Sequence, residues 1–385
     1  MTDLLRVAHL GHALEPGGAE LALRRILVVS PGRWRARLVL SGQGEDAGVF
    51  NGLPSDVEII RSGVAQPPGA TDAGPLGAVA VAVRLVQEAL AYRRLRALHD
   101  VDVVHANTSR SAIVGALALI GRRVPFVVHL RDRIDRPSLG TFGFYAFKLL
   151  VSRKASVYIA NSESTASSAR GGSKGRPIFV LASPIGVERA QPRSLSSAPT
   201  LRIGMVARLD AWKGQDLLIE AYRVSRVSDR ASLTFFGDAA FGKQAYARQL
   251  TELVTSSGLT DVTFAGFVDD VSAAIDSLDV CVQYSTRPEP LGQNVLQYLA
   301  RGKTTVVADE GGPTEWVDHE KNGIRVPPRD VDALAAALDR VISDPVLRSR
   351  LGEAARKTPH LPTDQAAADA HLQAFRDAAD EGARR

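Results

Sequence analysis

The sequence predicts an α/β protein built from two doubly wound, parallel-sheet domains in series. Three observations carry this. Apolar runs alternate with amphipathic stretches through the first 187 residues, and the same alternation restarts at residue 201. Such alternation gives parallel sheets covered by helices. Residues 188–200, Glu-Arg-Ala-Gln-Pro-Arg-Ser-Leu-Ser-Ser-Ala-Pro-Thr, lose that periodicity and read as a linker. A chain of 385 residues also exceeds one ordinary core and fits two domains.

In the first half the expected strands are 6–10, 36–40, 57–60, 101–105, 126–129 and 157–160, with helices near 18–30, 79–98, 109–121 and 140–154. Residues 62–78, rich in Pro and Gly, read as a loop that either walls an acceptor site or merely connects. The second series expects strands at 201–206, 231–236, 262–264, 279–284, 304–307 and 323–326. Its helices are expected near 214–226, 243–257, 270–277, 292–301 and 330–343. The boundaries are therefore 1–187, 188–200 and 201–362, followed by an Ala-rich terminal helix at 363–385.

Composition narrows the function. No run of 18 apolar residues exists, so no membrane-spanning helix is expected. The N-terminus lacks the basic start and long apolar region of a signal peptide and reads as a buried strand, which points to a cytoplasmic enzyme. A single cysteine, Cys281, in an apolar run reads as core and excludes an internal disulfide. The net charge is +5, with no basic run interleaved with aromatics, so nucleic acid is not an expected partner. The basic excess suits a phosphorylated small molecule or weak contact with an anionic membrane. Residues 142–154 mix aromatics and cations; covering the sheet is the preferred reading over membrane docking. The oligomeric state is not encoded in any motif.

The densest motif is Cys281-Val-Gln-Tyr-Ser-Thr-Arg-Pro-Glu-Pro-Leu-Gly-Gln-Asn-Val-Leu-Gln297. A strand turns through Pro288-Glu289-Pro290 into a helix, and the backbone N–H groups of Leu291, Gly292, Gln293 and Asn294 would face a phosphate or pyrophosphate. Glu289 stands just outside that helix start. Arg208 and Lys213 follow the strand 201–206, where two cations can converge on a diphosphate leaving group. Gly17-Gly18-Ala19-Glu20 follows the first strand and opens a helix, but without the spacing of a dinucleotide fingerprint. His129 ends the strand 126–129; His105, Asn107 and Thr108 form another group at the end of the strand 101–105.

These motifs, in this order and over nearly the whole chain, resemble the retaining GT-B glycosyltransferases of glycosyltransferase family 4. Glu289 matches the first glutamate of the family's Glu-x7-Glu motif, whereas Gln297 stands in place of the second. Ala207 likewise replaces a glycine of the Gly-Arg-x5-Lys-Gly pattern. The resemblance implies two Rossmann-like domains facing a central cleft, with the terminal helix crossing back to the first domain. It implies retaining transfer of a sugar from a nucleotide-sugar to a hydroxyl-bearing acceptor, a specialised metabolite or a cell-surface glycan intermediate, without a metal or other cofactor. A UDP-sugar is the expected donor, with dTDP- and GDP-sugars as alternatives. Another GT-B enzyme, an epimerase or phosphorylase, and a non-catalytic nucleotide-sugar-binding subunit are the competing readings.

The resemblance also assigns roles. His129, Arg208, Lys213 and Glu289 would be catalytic. Gly17, Gly18, Gly237, Val268, Leu291, Gly292, Gln293, Asn294 and Gln297 would bind the donor, Val268 beside the base and Gln297 at the ribose. Asn107, Thr108 and Arg131 would line the acceptor site. A glutamine offers one good acceptor oxygen where a carboxylate offers two, so Gln297 opens the way to deoxyribose nucleotides.

Overall fold

A computed structural model describes residues 4–64, 75–191, 200–227, 230–239 and 243–383. Most of the loop expected at 62–78 and most of the linker expected at 188–200 lie outside the described residues. The chain forms two compact units, one of Met1–Pro184 with Pro362–Arg385, the other of Ile185–Leu361.

In the first unit, seven strands make one parallel sheet: β1 (Arg6–Gly11), β2 (Arg35–Ser41), β3 (Glu58–Ser62), β4 (Val103–Ala106), β5 (Phe126–Leu130), β6 (Val157–Ala160) and β7 (Ile178–Val180). Their order is β3-β2-β1-β4-β5-β6-β7. The strand β7, three residues at the sheet edge, is too short to show a period and went unforeseen. Strand alternation divides the side chains between two faces. Ala8, Leu10, Val104, Ala106 and Val128 pack under helices Pro75–Arg94 and Ser109–Ala118. Val7, Leu38, Val103, Val127 and Ile159 pack under helices Gly18–Val28 and Asp364–Ala383. The latter helix buries Phe375 completely, so Phe375→Ala would cost about 3–5 kcal/mol.

A turn at Arg136–Leu139 breaks at Gly140, whose φ of +67° is not helical, and the helix expected at 140–154 follows it. The Asp135 carboxylate accepts from the Ser138 N–H, and Pro137 occupies the first turn. A π-turn over Phe147–Val151 continues it. Helix Glu163–Arg170 was also unforeseen; it has no apolar stripe, and Ser162 caps its start.

The second unit repeats the plan with β8 (Leu201–Val206), β9 (Ala231–Phe236), β10 (Val262–Gly266), β11 (Val280–Gln283), β12 (Thr304–Ala308) and β13 (Ile324–Val326). All are parallel, in the order β10-β9-β8-β11-β12-β13. Helix Pro345–Arg356, capped by Asp344, adds to the expected set. Cys281 on β11 is fully buried, and burial pushes its thiol up to about 12. Both sheets reverse direction of winding between their first and fourth strands. Ligands of doubly wound sheets bind beyond the carboxyl ends of strands at that point.

Candidate active site

In the second unit the reversal lies between β8 and β11, and the polar side chains gather there. The chain leaves β8 through Arg208, makes a single turn over Ala211–Lys213, and reverses at Gly214 with φ +73°. A Cβ at Gly214 would stand 2.1 Å from the Tyr284 carbonyl oxygen, so only glycine lets this turn lie on the end of β11. The turn delivers Lys213 to Glu289, Nζ to Oε2 at 2.7 Å. The same oxygen accepts from the Ser285 hydroxyl at 2.7 Å, and the Gln283 amide stands 3.4 Å away. Lys213 also lies 3.9 Å from the Trp212 ring centroid, and the Arg287 guanidinium lies 4.5 Å from the same ring. Trp212 thus gathers two cations beside one carboxylate.

Glu289 is nearly buried, and its carbonyl accepts from the Gly312 N–H at 2.8 Å. Leu291 is buried, and Gly292 caps helix Gln293–Ala300 from the left-handed region. Gln293 and Asn294 open that helix, with the Asn294 amide donating to the Val206 carbonyl at 3.2 Å. The helix start is therefore anchored to the end of β8, and Glu289 to the turn that follows β12. Two predicted donor residues sit further out. Gly237 follows β9, and a Cβ there would meet the Ala207 carbonyl oxygen at 2.1 Å, a packing demand in its own right. Val268 is half-buried in the loop after the edge strand β10. Gln297 is buried and donates its amide to the Ile185 carbonyl at 2.9 Å, which leaves its oxygen as the acceptor.

In the first unit the strand ends carry a separate cluster. Arg131, just past β5, donates to the Ser183 hydroxyl at 2.6 Å and to Asn107 Oδ1 at 2.8 Å. Asn107 in turn donates to the Ala19 carbonyl at 3.1 Å, tying β4 to the Gly17–Gly18 helix start. Asn161 donates to the Arg131 carbonyl at 3.1 Å. Burial lowers the Arg131 guanidinium to about 10, against the pull of Glu20 and Asp132, so it remains a cation at neutral pH. Thr108 is committed to capping helix Ser109–Ala118 and contacts His12 Nδ1 at 3.0 Å.

His129 is not part of this cluster. It shares the Val127 face of the sheet, is fully buried, and neither ring nitrogen has a hydrogen-bond partner. Its ring lies 5.7 Å from that of His105 and 5.3 Å from that of His371 on the terminal helix. His9 completes the group, 3.0 Å from His105 between Nδ1 atoms and accepting from the Trp34 indole at 3.1 Å. Burial pushes these imidazoles down, to about 3 for His9 and about 4 for His371, so the group is neutral. Sequence reasoning treated His129 and His105 as strand-end residues. Their shared face was open to inspection, because His9, His105 and His129 all sit two residues from a core valine. The Arg287–Trp212 contact was also missed, and nothing local signals it.

Residues 53–189 match Glycosyltransferase Family 4, and residues 188–358 match Glycosyl transferases group 1. A lipopolysaccharide core biosynthesis glycosyltransferase of Rhizobium meliloti is 31% identical over 175 residues, 45% of this chain and 48% of that protein. The chain thus spans about half the length of that relative. A D-inositol 3-phosphate glycosyltransferase of Kribbella flavida is 26% identical over 382 residues, covering 89% of this chain and 87% of that protein. Among solved structures, Anabaena HepE in complex with UDP and glucose superposes with a TM-score of 0.78 at 26% identity, over 96% of this chain and 98% of that one.

Proposed function

This chain belongs to the GT-B glycosyltransferases of family 4, and from that premise we propose that it transfers a sugar from a UDP-sugar to an acceptor hydroxyl with retention at the anomeric carbon. The observation that carries the reading is the convergence at the β8–β11 reversal. There Lys213 and the start of helix Gln293–Ala300 lie with the Glu289 carboxylate, and Arg208 follows the end of β8. Diphosphate departure concentrates negative charge, and fixed cations with a helix N-terminus stabilise it without reorganising. In this reading these groups take the role that a divalent metal fills elsewhere. The likeness to HepE, whose structure holds UDP and glucose, supports a UDP-sugar over dTDP- and GDP-sugars.

Glu289 would accept hydrogen bonds from sugar hydroxyls and exchange its Lys213 contact for them as Lys213 moves to the diphosphate. The bond from the anomeric carbon to the diphosphate oxygen breaks, and the acceptor oxygen forms its bond on the same face. The acceptor proton passes to the departing phosphate oxygen. Arg131 and Asn107 of the first unit are proposed to position the acceptor, a specialised metabolite or cell-surface glycan intermediate. The test is nucleotide release from UDP-, dTDP- and GDP-sugars over an acceptor panel, with the product's anomeric configuration read by NMR. UDP binding without release on any acceptor would instead favour a binding subunit, and an inverted product would refute retention.

A further inference from the structure

In the second unit an aromatic ring stands among the charged groups at the strand ends. Trp212 is half-buried in the single turn Ala211–Lys213, and its backbone is fixed to the end of β11. Its carbonyl accepts from the Thr286 N–H at 2.8 Å, and Gly214, two residues on, lies against the Tyr284 carbonyl. Thr286 is held in turn, because its own carbonyl accepts from the Arg329 guanidinium at 2.8 Å. Arg329 is paired with Glu310, in the turn after β12. The turn that carries Trp212 is thus tied through Thr286 and Arg329 to the ends of two strands.

Two cations use that ring. Lys213 Nζ lies 3.9 Å from its centroid and the Arg287 guanidinium carbon 4.5 Å. Both distances fall well inside the ~6 Å over which a ring face attracts a cation. The shared centroid puts the two charges no more than about 8 Å apart, within the screening length of physiological salt, so they repel each other. Glu289 offsets one of them, with Lys213 Nζ 2.7 Å from its carboxylate. The ring adds an attraction to both that no proton can remove. When Glu289 turns to sugar hydroxyls, the ring still holds Lys213 and Arg287 side by side. Two adjacent cations match the two negative charges of a diphosphate that bridges a nucleoside and a sugar.

We propose that Trp212 is a positioning residue that holds Lys213 and Arg287 as a paired clamp for the donor's diphosphate. The inference rests on the sugar-transfer reading of this site and adds Arg287 to the groups that meet the donor. Because the ring acts through the charge distribution of its face, the test weakens that face without changing its shape. The full chain is prepared with mono-, di- and trifluorinated tryptophan, and UDP affinity is measured by calorimetry. Affinity should fall stepwise with each fluorine, by about threefold to thirtyfold over the series. Trp34 and Trp316 take the label too, so the same series in Trp212→Phe is the control and should be flat. Trp212→Phe keeps a ring face and should bind UDP within about threefold of the native chain, whereas Trp212→Leu should lose about tenfold. Arg287→Gln should lose about threefold or more, and Trp212→Leu should cost nothing further once Lys213→Ala and Arg287→Gln are both in place. The fluorinated chains keep the native packing, so the series decides even where Trp212→Leu fails to fold. A flat series in the native background, Trp212→Phe as impaired as Trp212→Leu, or undiminished affinity in Arg287→Gln overturns the proposal. A chain that binds UDP but transfers no sugar sinks the transfer reading alone and leaves this test in force. A chain with no affinity for UDP overturns both.

Discussion

The two units wind their sheets in the same order, yet they treat polar side chains near the reversal point in opposite ways. In the second unit a lysine, a carboxylate and a serine stand together at the strand ends, and a tryptophan holds that lysine and an arginine. In the first unit three histidines project from adjacent strands β1, β4 and β5 into the layer below, where the terminal helix adds a fourth. Charge is kept where a charged ligand can use it, and the histidines are kept neutral by burial. The first unit's remaining buried cation at the strand ends, Arg131, is held by Asn107 and Ser183. Fold repetition therefore does not imply a repeated site.

Acid offers the largest effect with which to separate the units. Folded-state values for His9, His105, His129 and His371 lie below the ordinary 6.5, so the unfolded chain takes protons first as pH falls. Their contribution is complete above about pH 6.5 and is lost below it, down to about 4 for His371 and about 3 for His9. By pH 5 the loss is about 2 kcal/mol each for His9 and His371, and His105 and His129 act in the same direction. Trp34, beside His9, should report an unfolding midpoint that falls steeply from pH 7 to 5, while Trp212 and Trp316 report a smaller change. Parallel shifts in all three would erase the contrast.

Removing the second unit's cations comes next. Arg208→Ala or Lys213→Ala should lower turnover by about two to four orders of magnitude with little change in melting temperature. Near-normal turnover in the folded double variant would dissolve the charged site.

A paired substitution sharpens the contrast within the first unit. Arg131→Ala should reduce transfer by about tenfold or more, while UDP affinity by calorimetry is unchanged. His129→Leu should leave transfer intact and be neutral or stabilising, because it removes two buried nitrogens that have no partner. Loss of transfer in His129→Leu would return that histidine to the catalytic set.

The smallest effect belongs to Gln297→Glu. A carboxylate cannot donate to the Ile185 carbonyl, so denaturant unfolding should show a loss of about 1–2 kcal/mol. An unchanged midpoint would make that hydrogen bond dispensable.

The fold was legible because its signals are local. Among the described residues, apolar alternation located twelve of the thirteen strands, and β7 failed only because three residues carry no period. Turn chemistry and the family resemblance singled out Lys213, Glu289 and the helix start at Gly292, and Lys213 does meet Glu289 beside that helix start. What escaped depends on pairings distant in sequence. No local pattern tells that His371 covers His129, that Ile185 occupies the Gln297 amide, or that Arg287 shares the Trp212 ring with Lys213. Strand periodicity assigns a face to His129, but the helix that closes over that face is chosen by tertiary packing.

The lone cysteine has a practical consequence. Cys281 is enclosed on β11 with its thiol raised to about 12, so at neutral pH it stays protonated and inaccessible to alkylating reagents. The native sequence is therefore already a blank background for thiol labelling. A cysteine introduced at an exposed position such as Val83 or Leu149 would take a fluorophore or spin label selectively, with no endogenous residue to mutate first.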